Sequence, residues 1–238
     1  LTVDPDVELA LANAVWYRQG FNVKPPFLAT MQDQFDARTE ALDFSKPSAL
    51  DVINGWAADN TNGKIPKVLN EIEPAAVMFL MNALYFKGTW TWQFDKSHTA
   101  IAPFKTDNGQ TTDTEMMNGD IPSRTHSGNG YNAIELFYGK LNFSMIIIVP
   151  AATVADLLEG FDEQFWSSLT NALDILPGDP TEIPVSMPKF KFEYEKKLND
   201  QLMAMGMTDA FDPSKADLSG ISDADIYDLN DPEEPIGN

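Results

Sequence analysis

Apolar runs broken by short polar stretches divide the chain into strand-like and helix-like segments. Residues 9–17 mix Leu, Val, Trp and Tyr with small Ala in a nearly continuous apolar run, which predicts a strand covered on both faces at the centre of a sheet. After Lys24-Pro25-Pro26, the positions Phe27, Leu28, Met31 and Phe35 are three and four apart, so an amphipathic helix is expected, with proline suited to its first turn. Residues 41–44 read as a short strand. Ser48 is the expected N-cap of a second helix over residues 49–59, with Leu50, Ile53 and Trp56 on one stripe and Asn60-Thr61-Asn62-Gly63 ending it.

Residues 77–89 carry no turn residue before Gly88 and predict a long strand buried on at least one face. Asp107-Asn108-Gly109 marks a hairpin turn between strands at 101–105 and 111–117. A second hairpin is expected from 131–137 and 141–149 across Gly139-Lys140, and Met145-Ile146-Ile147-Ile148-Val149 is its most hydrophobic part. Residues 154–158 and 162–173 predict helices, 182–194 a long strand bent at Pro184 and Pro188, and 197–205 a helix closed by Gly206. The acidic tail, 228–238, reads as irregular. Antiparallel pairs interrupted by helices imply an α+β fold, and a length of 238 residues with 43% hydrophobic content is enough for one domain over 1–238 with a substantial core.

Composition narrows the chemistry. The 16 basic against 36 acidic residues give a formal charge of −20, which repels phosphate backbones and anionic lipid, so neither nucleic acid nor membrane is an expected partner. The chain has no cysteine, and its two histidines, His98 and His126, offer almost no raw material for a His-rich metal cluster or a His-dependent catalytic triad. No metal or cofactor is expected, and no enzyme activity. Gly128-Asn129-Gly130-Tyr131-Asn132-Ala133 fits a dinucleotide pattern, but that pattern needs a helix after it and a strand is expected here. Asn142-Phe143-Ser144 matches a glycosylation acceptor at the start of an apolar strand, where a glycan is not expected. The paired acids Glu193/Glu195 and Glu233/Glu234 have no cleft or substrate anchor nearby, and Met203, Met205 and Met207 read as packing.

Three blocks give the chain a family resemblance. Asn82-Ala83-Leu84-Tyr85-Phe86-Lys87-Gly88-Thr89-Trp90 resembles the serpin signature N-A-x-Y-F-K-G-x-W, carried in that family on the third strand of its large sheet A. Ile53-Asn54-Gly55-Trp56, then Thr61, Gly63-Lys64-Ile65 and Leu69, is similar to helix F and the turn leaving it. Pro188-Lys189-Phe190, Leu198, Leu202, Met205-Gly206-Met207, Ala210-Phe211 and Ser219-Gly220-Ile221 follow a late strand, helix and loop of the family in order. The resemblance covers residues 9–227 and implies a partial serpin fold with mixed sheets A, B and C.

What the resemblance implies is an inhibitor of serine proteases, with cysteine proteases as a second class, acting as a suicide substrate whose cleaved bait loop inserts into sheet A. Asn82 resembles the shutter residue and Trp90 the breach residue, while Ile53, Asn54 and Trp56 mark helix F. On this resemblance the reactive-centre bond and the N-terminal helices are expected to lie outside this chain, and the chain alone is not expected to inhibit. A non-inhibitory binding or chaperone-like module and a truncated remnant are the alternatives. Secretion and a monomeric complete protein are further expectations of the resemblance.

Overall fold

The computed structural model describes residues 4–106, 108–174, 180–212 and 214–223. They belong to two compact units, one of Leu9–Phe86 with Tyr194–Asn238, the other of Leu1–Glu8 with Lys87–Glu193.

In the first unit β1 (Val7–Arg18), β2 (Ala37–Leu42) and β3 (Met78–Gly88) form a sheet in the order β2-β1-β3. The apolar run places β1 at the centre, as expected. Strands β1 and β2 are parallel, with Asn13 opposite Ala37 and Arg18 opposite Leu42, and the crossover that parallel pairing requires contains α1 (Pro25–Phe35). Arg18 N donates to Val77 O at 2.8 Å and Thr89 N to Asp6 O at 3.1 Å, so β3 runs antiparallel to β1. The second strand lies at Ala37–Leu42 rather than 41–44, because pairing with β1 decides its extent and Phe44 turns into the core instead.

The second helix, α2 (Pro47–Asn60), starts before its expected cap. Lys46 occupies the N-cap without a side-chain bond, Pro47 holds the first position, and Ser48 falls inside the first turn. Its buried face is Ala49, Ile53, Trp56 and Ala57. These pack with Ala14 and Trp16 of β1, Ala83 of β3 and Phe44, the two small strand residues leaving room for the indoles. Trp16 and Trp56 meet edge to face, with ring centroids 6.1 Å apart.

In the second unit β4 (Ala100–Lys105), β5 (Thr111–Gly128), β6 (Tyr131–Tyr138) and β7 (Phe143–Pro150) are neighbours in that order, and β8 (Thr181–Pro188) pairs with β5. The first hairpin brings Lys105 opposite Thr111 through Gly109 at φ 79°, while Asp107 lies outside the described residues. Strand β5 extends far beyond the expected 111–117, since it pairs successively with β4, β8 and β6. The turn Gly128-Asn129-Gly130 joins β5 to β6, a strand-to-strand connection that aims no helix N-terminus at a phosphate. Behind β6 and β7, α3 (Val154–Glu159) carries a Thr153/Asp156 capping box, and α4 (Glu163–Asp174) buries Leu169 and Leu173 against Ala133, Ile146 and Ile148.

Three expectations are corrected. The strand expected over 182–194 ends at Pro188. Lys189 N donates to Glu115 O at 2.8 Å, which fixes the alternation so that Pro184 and Pro188 sit where a backbone N–H would face away from β5. Residues 190–195 belong to no regular element and pair with no strand among the described residues. The following helix is shorter than expected, α5 (Asn199–Ala204), with Gly206 at φ 103° after its cap. Asn142 stands in an exposed turn ahead of β7, not within an apolar strand, and its amide donates to Asp4 Oδ2 at 3.2 Å. The tail, 228–238, lies outside the described residues.

Candidate functional site: strand β3 and the helix packed on it

Strand β3 has two contrasting faces and one open edge. Ala83 and Tyr85 are buried, and Phe79 and Met81 pack toward the α2 cluster, whereas Leu80 and Leu84 on the opposite face are about 60% exposed. The order β2-β1-β3 leaves β3 terminal, so among the described residues its second edge pairs with no strand. Such an edge presents backbone donors and acceptors for a further strand.

Asn82 points to the exposed face. Its Nδ2 donates to Asn13 Oδ1 at 2.9 Å, joining β3 to β1, and it borders a shallow cavity of about 230 Å³ with Asn13, Val15, Met31, Phe35 and Leu80. Sequence reasoning missed Asn13, although a lone Asn between Ala12 and Ala14 in an apolar strand was a signal that a polar partner sits opposite.

Within α2, Ile53 is fully buried and Trp56 nearly so, but Asn54 acts differently. Its Oδ1 accepts from Val68 N at 2.9 Å and Leu69 N at 3.0 Å, and its Nδ2 donates to Leu69 O at 3.0 Å. Buried Thr61 adds a second tie, donating to Ala57 O at 2.8 Å and accepting from Ile65 N at 2.9 Å. Helix α2 and its returning segment are thereby stapled together. Asn54→Ala is expected to cost about 1–3 kcal/mol, the penalty for leaving partly buried backbone groups unpaired. Amide hydrogen exchange should quicken at Val68 and Leu69 first.

Trp90 belongs to the other unit. It stacks on Tyr138 at 4.2 Å with an interplanar angle of 12° and meets Phe94 edge to face at 6.4 Å. Burial raises the Tyr138 phenol above its ordinary pKa, so the ring under Trp90 stays neutral at physiological pH. Gly139 fixes the flanking backbone: its N donates to Thr89 O at 2.8 Å, and its carbonyl accepts from Thr91 Oγ1 at 2.8 Å. Among the described residues His98, His126, Glu193 and Glu195 belong to no group able to hold a metal ion, and Glu233 and Glu234 lie outside those residues. No helix among them is long and apolar enough to cross a membrane.

Residues 2–231 match the family described as serpin (serine protease inhibitor). The chain belongs to the serpin family. A serpin-like protein of Methanosarcina acetivorans is 34% identical over 235 residues, covering 94% of this chain and 53% of that protein. The leukocyte elastase inhibitor of Xenopus laevis is 33% identical over 228 residues, covering 90% of this chain and 59% of that protein. Among solved structures, the thermophilic serpin tengpin in its native state superposes with a TM-score of 0.82 at 30% identity, over 92% of this chain and 56% of that one. This serpin chain therefore spans a little over half the length of these relatives, and the serpin fold with its mixed sheets is present.

Proposed function

We propose that this serpin chain carries the strand-accepting part of an inhibitor of serine proteases, with cysteine proteases as a second target class. The observation that supports this best is β3, which bears Asn82 to Gly88 of the family motif and is terminal in its sheet among the described residues. In the complete protein the target's nucleophile would attack a bait-loop carbonyl, forming an acyl-enzyme and releasing the new amino terminus. The freed loop would then add beside β3 by strand addition and carry the acylated protease with it. In this reading Asn82 is the shutter, its bond to Asn13 keeping β3 on β1 while the loop adds at the other edge of β3. Trp90 marks the breach on its Tyr138 platform, and Ile53, Asn54 and Trp56 belong to helix F, which yields as the new strand enters. The reactive-centre bond is assigned to no residue of this chain, and an extracellular setting is part of the same proposal.

The test incubates the complete protein with a panel of serine and cysteine proteases. An SDS-stable complex, and a gain in thermal stability after bait-loop cleavage, are expected. No complex with any protease and no gain on cleavage would favour a non-inhibitory binding or chaperone-like serpin instead.

A further inference from the structure

Five asparagines of the chain stand directly before a glycine: Asn54, Asn62, Asn108, Asn118 and Asn129. Asparagine is thermolabile, and most so before glycine, whose amide is unshielded by a Cβ and free to attack the neighbouring side chain. The attack needs a carboxamide that can swing over its own backbone and a glycine N–H that is not held elsewhere. Four of the five are held. Asn54 is bound at both ends of its amide by Val68 and Leu69. Asn62 donates to Tyr85 Oη at 3.2 Å, while Gly63 N donates to Ala58 O at 2.8 Å. Asn108 Oδ1 accepts from Gln110 N at 3.1 Å and Thr106 Oγ1 at 2.6 Å, and Gly109 N donates to Thr106 O at 2.9 Å. Asn118 lies inside β5, donating to His98 O at 2.9 Å and accepting from Ser186 Oγ at 2.7 Å.

Asn129 is not. Its side chain is exposed and makes no hydrogen bond among the described residues, and the Gly130 N–H donates to none of them. The pair forms the two-residue turn between Gly128 and Tyr131, with Gly130 at φ 82°, and borders a cavity of about 280 Å³ lined also by Tyr131, Leu157 and Phe165. The carboxamide therefore has room to turn, and water reaches it. We propose that Asn129 is the chain's site of spontaneous succinimide formation, through which the turn between β5 and β6 is converted with time to aspartate and isoaspartate. Gly130 N, losing its proton, bonds to Asn129 Cγ, and the side-chain nitrogen takes up a proton and leaves as ammonia. Water then opens the ring, at Cγ to give aspartate or at the Asn129 backbone carbonyl to give isoaspartate, whose main chain runs through Cβ. Asparagine and water become aspartate or isoaspartate and ammonia, with nothing oxidised or reduced. Either product adds a negative charge to a chain already at −20, and isoaspartate also lengthens the turn by a carbon. Both changes fall on an anchor. Gly130 O accepts from Ala151 N at 2.8 Å just ahead of the α3 capping box, and Asp156 of that box lines the same cavity as the new carboxylate. The free α-carboxylate of isoaspartate is the acceptor that isoaspartyl methyltransferases esterify from S-adenosylmethionine, so the aged turn becomes a substrate for that class of enzyme. None of this depends on protease inhibition.

Ageing the complete folded protein at neutral pH and mapping its peptides by mass tests this. Asn129 should gain the mass difference between a hydroxyl and an amino group ahead of the other four, and methyl incorporation by an isoaspartyl methyltransferase should grow in step. A hydrogen bond that holds a carboxamide or a glycine N–H lowers the population of the reactive arrangement by up to about tenfold, so Asn129 should lead by about that factor. Unfolding in guanidinium frees Asn54, Asn62, Asn108 and Asn118 and should erase the lead. Hydrogen exchange at Ala151 should quicken in the aged protein, because its partner carbonyl sits on the altered turn. Asn129→Gln, which would have to close a six-membered ring, should remove the early methyl incorporation and keep the parent's melting temperature, since the side chain is exposed. A folded protein that reacts first at any of the other four, that reacts equally at all five, or that is inert at Asn129 while the unfolded chain reacts there would overturn the proposal. So would early methyl incorporation at the parent's rate in Asn129→Gln.

Discussion

Trp16→Ala is expected to remove about 3–5 kcal/mol of folding free energy, the usual cost of emptying a large aromatic site in a packed core. Trp16 is fully buried at the centre of β1 and touches elements from three directions. Trp56 meets it edge to face, Ala14 and Ala83 line its strand surroundings, and the Arg38 guanidinium lies 4.9 Å from its ring centroid. Its indole Nε1 is buried without a hydrogen-bond partner, so part of the side chain's favourable burial is offset by an unpaired donor. Trp16→Phe should therefore cost much less than alanine, since it keeps an aromatic body and removes that donor. Because the two indoles touch, Trp16→Ala and Trp56→Ala together should cost less than their separate costs added, by about 0.5–1.5 kcal/mol. Guanidinium unfolding of the four chains measures this. Strict additivity would mean that helix α2 is not held to the sheet through this pair.

The ease with which the fold could be read followed the reach of the interactions that fix it. Strand β1, helix α2 and the hairpin of β6 and β7 were legible because apolar periodicity and nearby Gly or Pro residues act within a few positions. The second half of β5 was not. Its residues Asn118, Gly119, Asp120 and Pro122 look like a loop, and only pairing with β8 and β6 keeps them extended. Strand β8 failed in the opposite sense: the pattern after Pro188 is a good strand pattern, but a pattern supplies no partner, and none pairs with 190–195 among the described residues. Period alone shows which side chains share a face, not whether another strand lies beside them.

The candidate site divides in the same way. Asn82 and Trp90 were singled out by one contiguous motif and Ile53, Asn54 and Trp56 by a second block, and their local surroundings could be anticipated only in kind. Asn54 read as a helix position, whereas its work is tertiary, with both ends of its amide bound 14 and 15 residues away. The platform under Trp90 is Tyr138, at the end of a hairpin whose turn glycine was recognised but whose contact with Thr89 and Thr91 was not. Asp4 left no trace at all in the pattern, since its partners are Lys140 and Asn142, 136 and 138 positions further along.

Those partners make Gly139→Ala the second large expected effect. Gly139 has φ 54°, a left-handed backbone that costs a side chain-bearing residue about 1–2 kcal/mol. The added methyl carbon would also lie 2.5 Å from both carboxylate oxygens of Asp4, which is almost wholly buried. Asp4 cannot simply swing away. It accepts from Lys140 N at 2.6 Å and Asp6 N at 2.9 Å as well as from Asn142, so moving it unpins the chain before β1 from the turn between β6 and β7. Gly139 is in addition bonded to Thr89 and Thr91, and its displacement disturbs the segment that carries Trp90, giving lower stability together with an altered tryptophan emission spectrum. The Asp4 carboxylate supplies an independent check. The Lys140 amide, followed by those of Asp6 and Asn142, holds its pKa below the ordinary value of 3.8 against the opposing effect of burial. A depressed folded-state pKa stabilises above the unfolded value and is lost as pH falls through the folded one. Asp4→Asn should thus be less stable than the parent at neutral pH, and the difference should shrink below about pH 4. Gly139→Ala should flatten the parent's acid dependence over the same window, because the carboxylate has already lost its amide donors. A Gly139→Ala chain that keeps the parent's acid profile would show that the turn and Asp4 are not coupled.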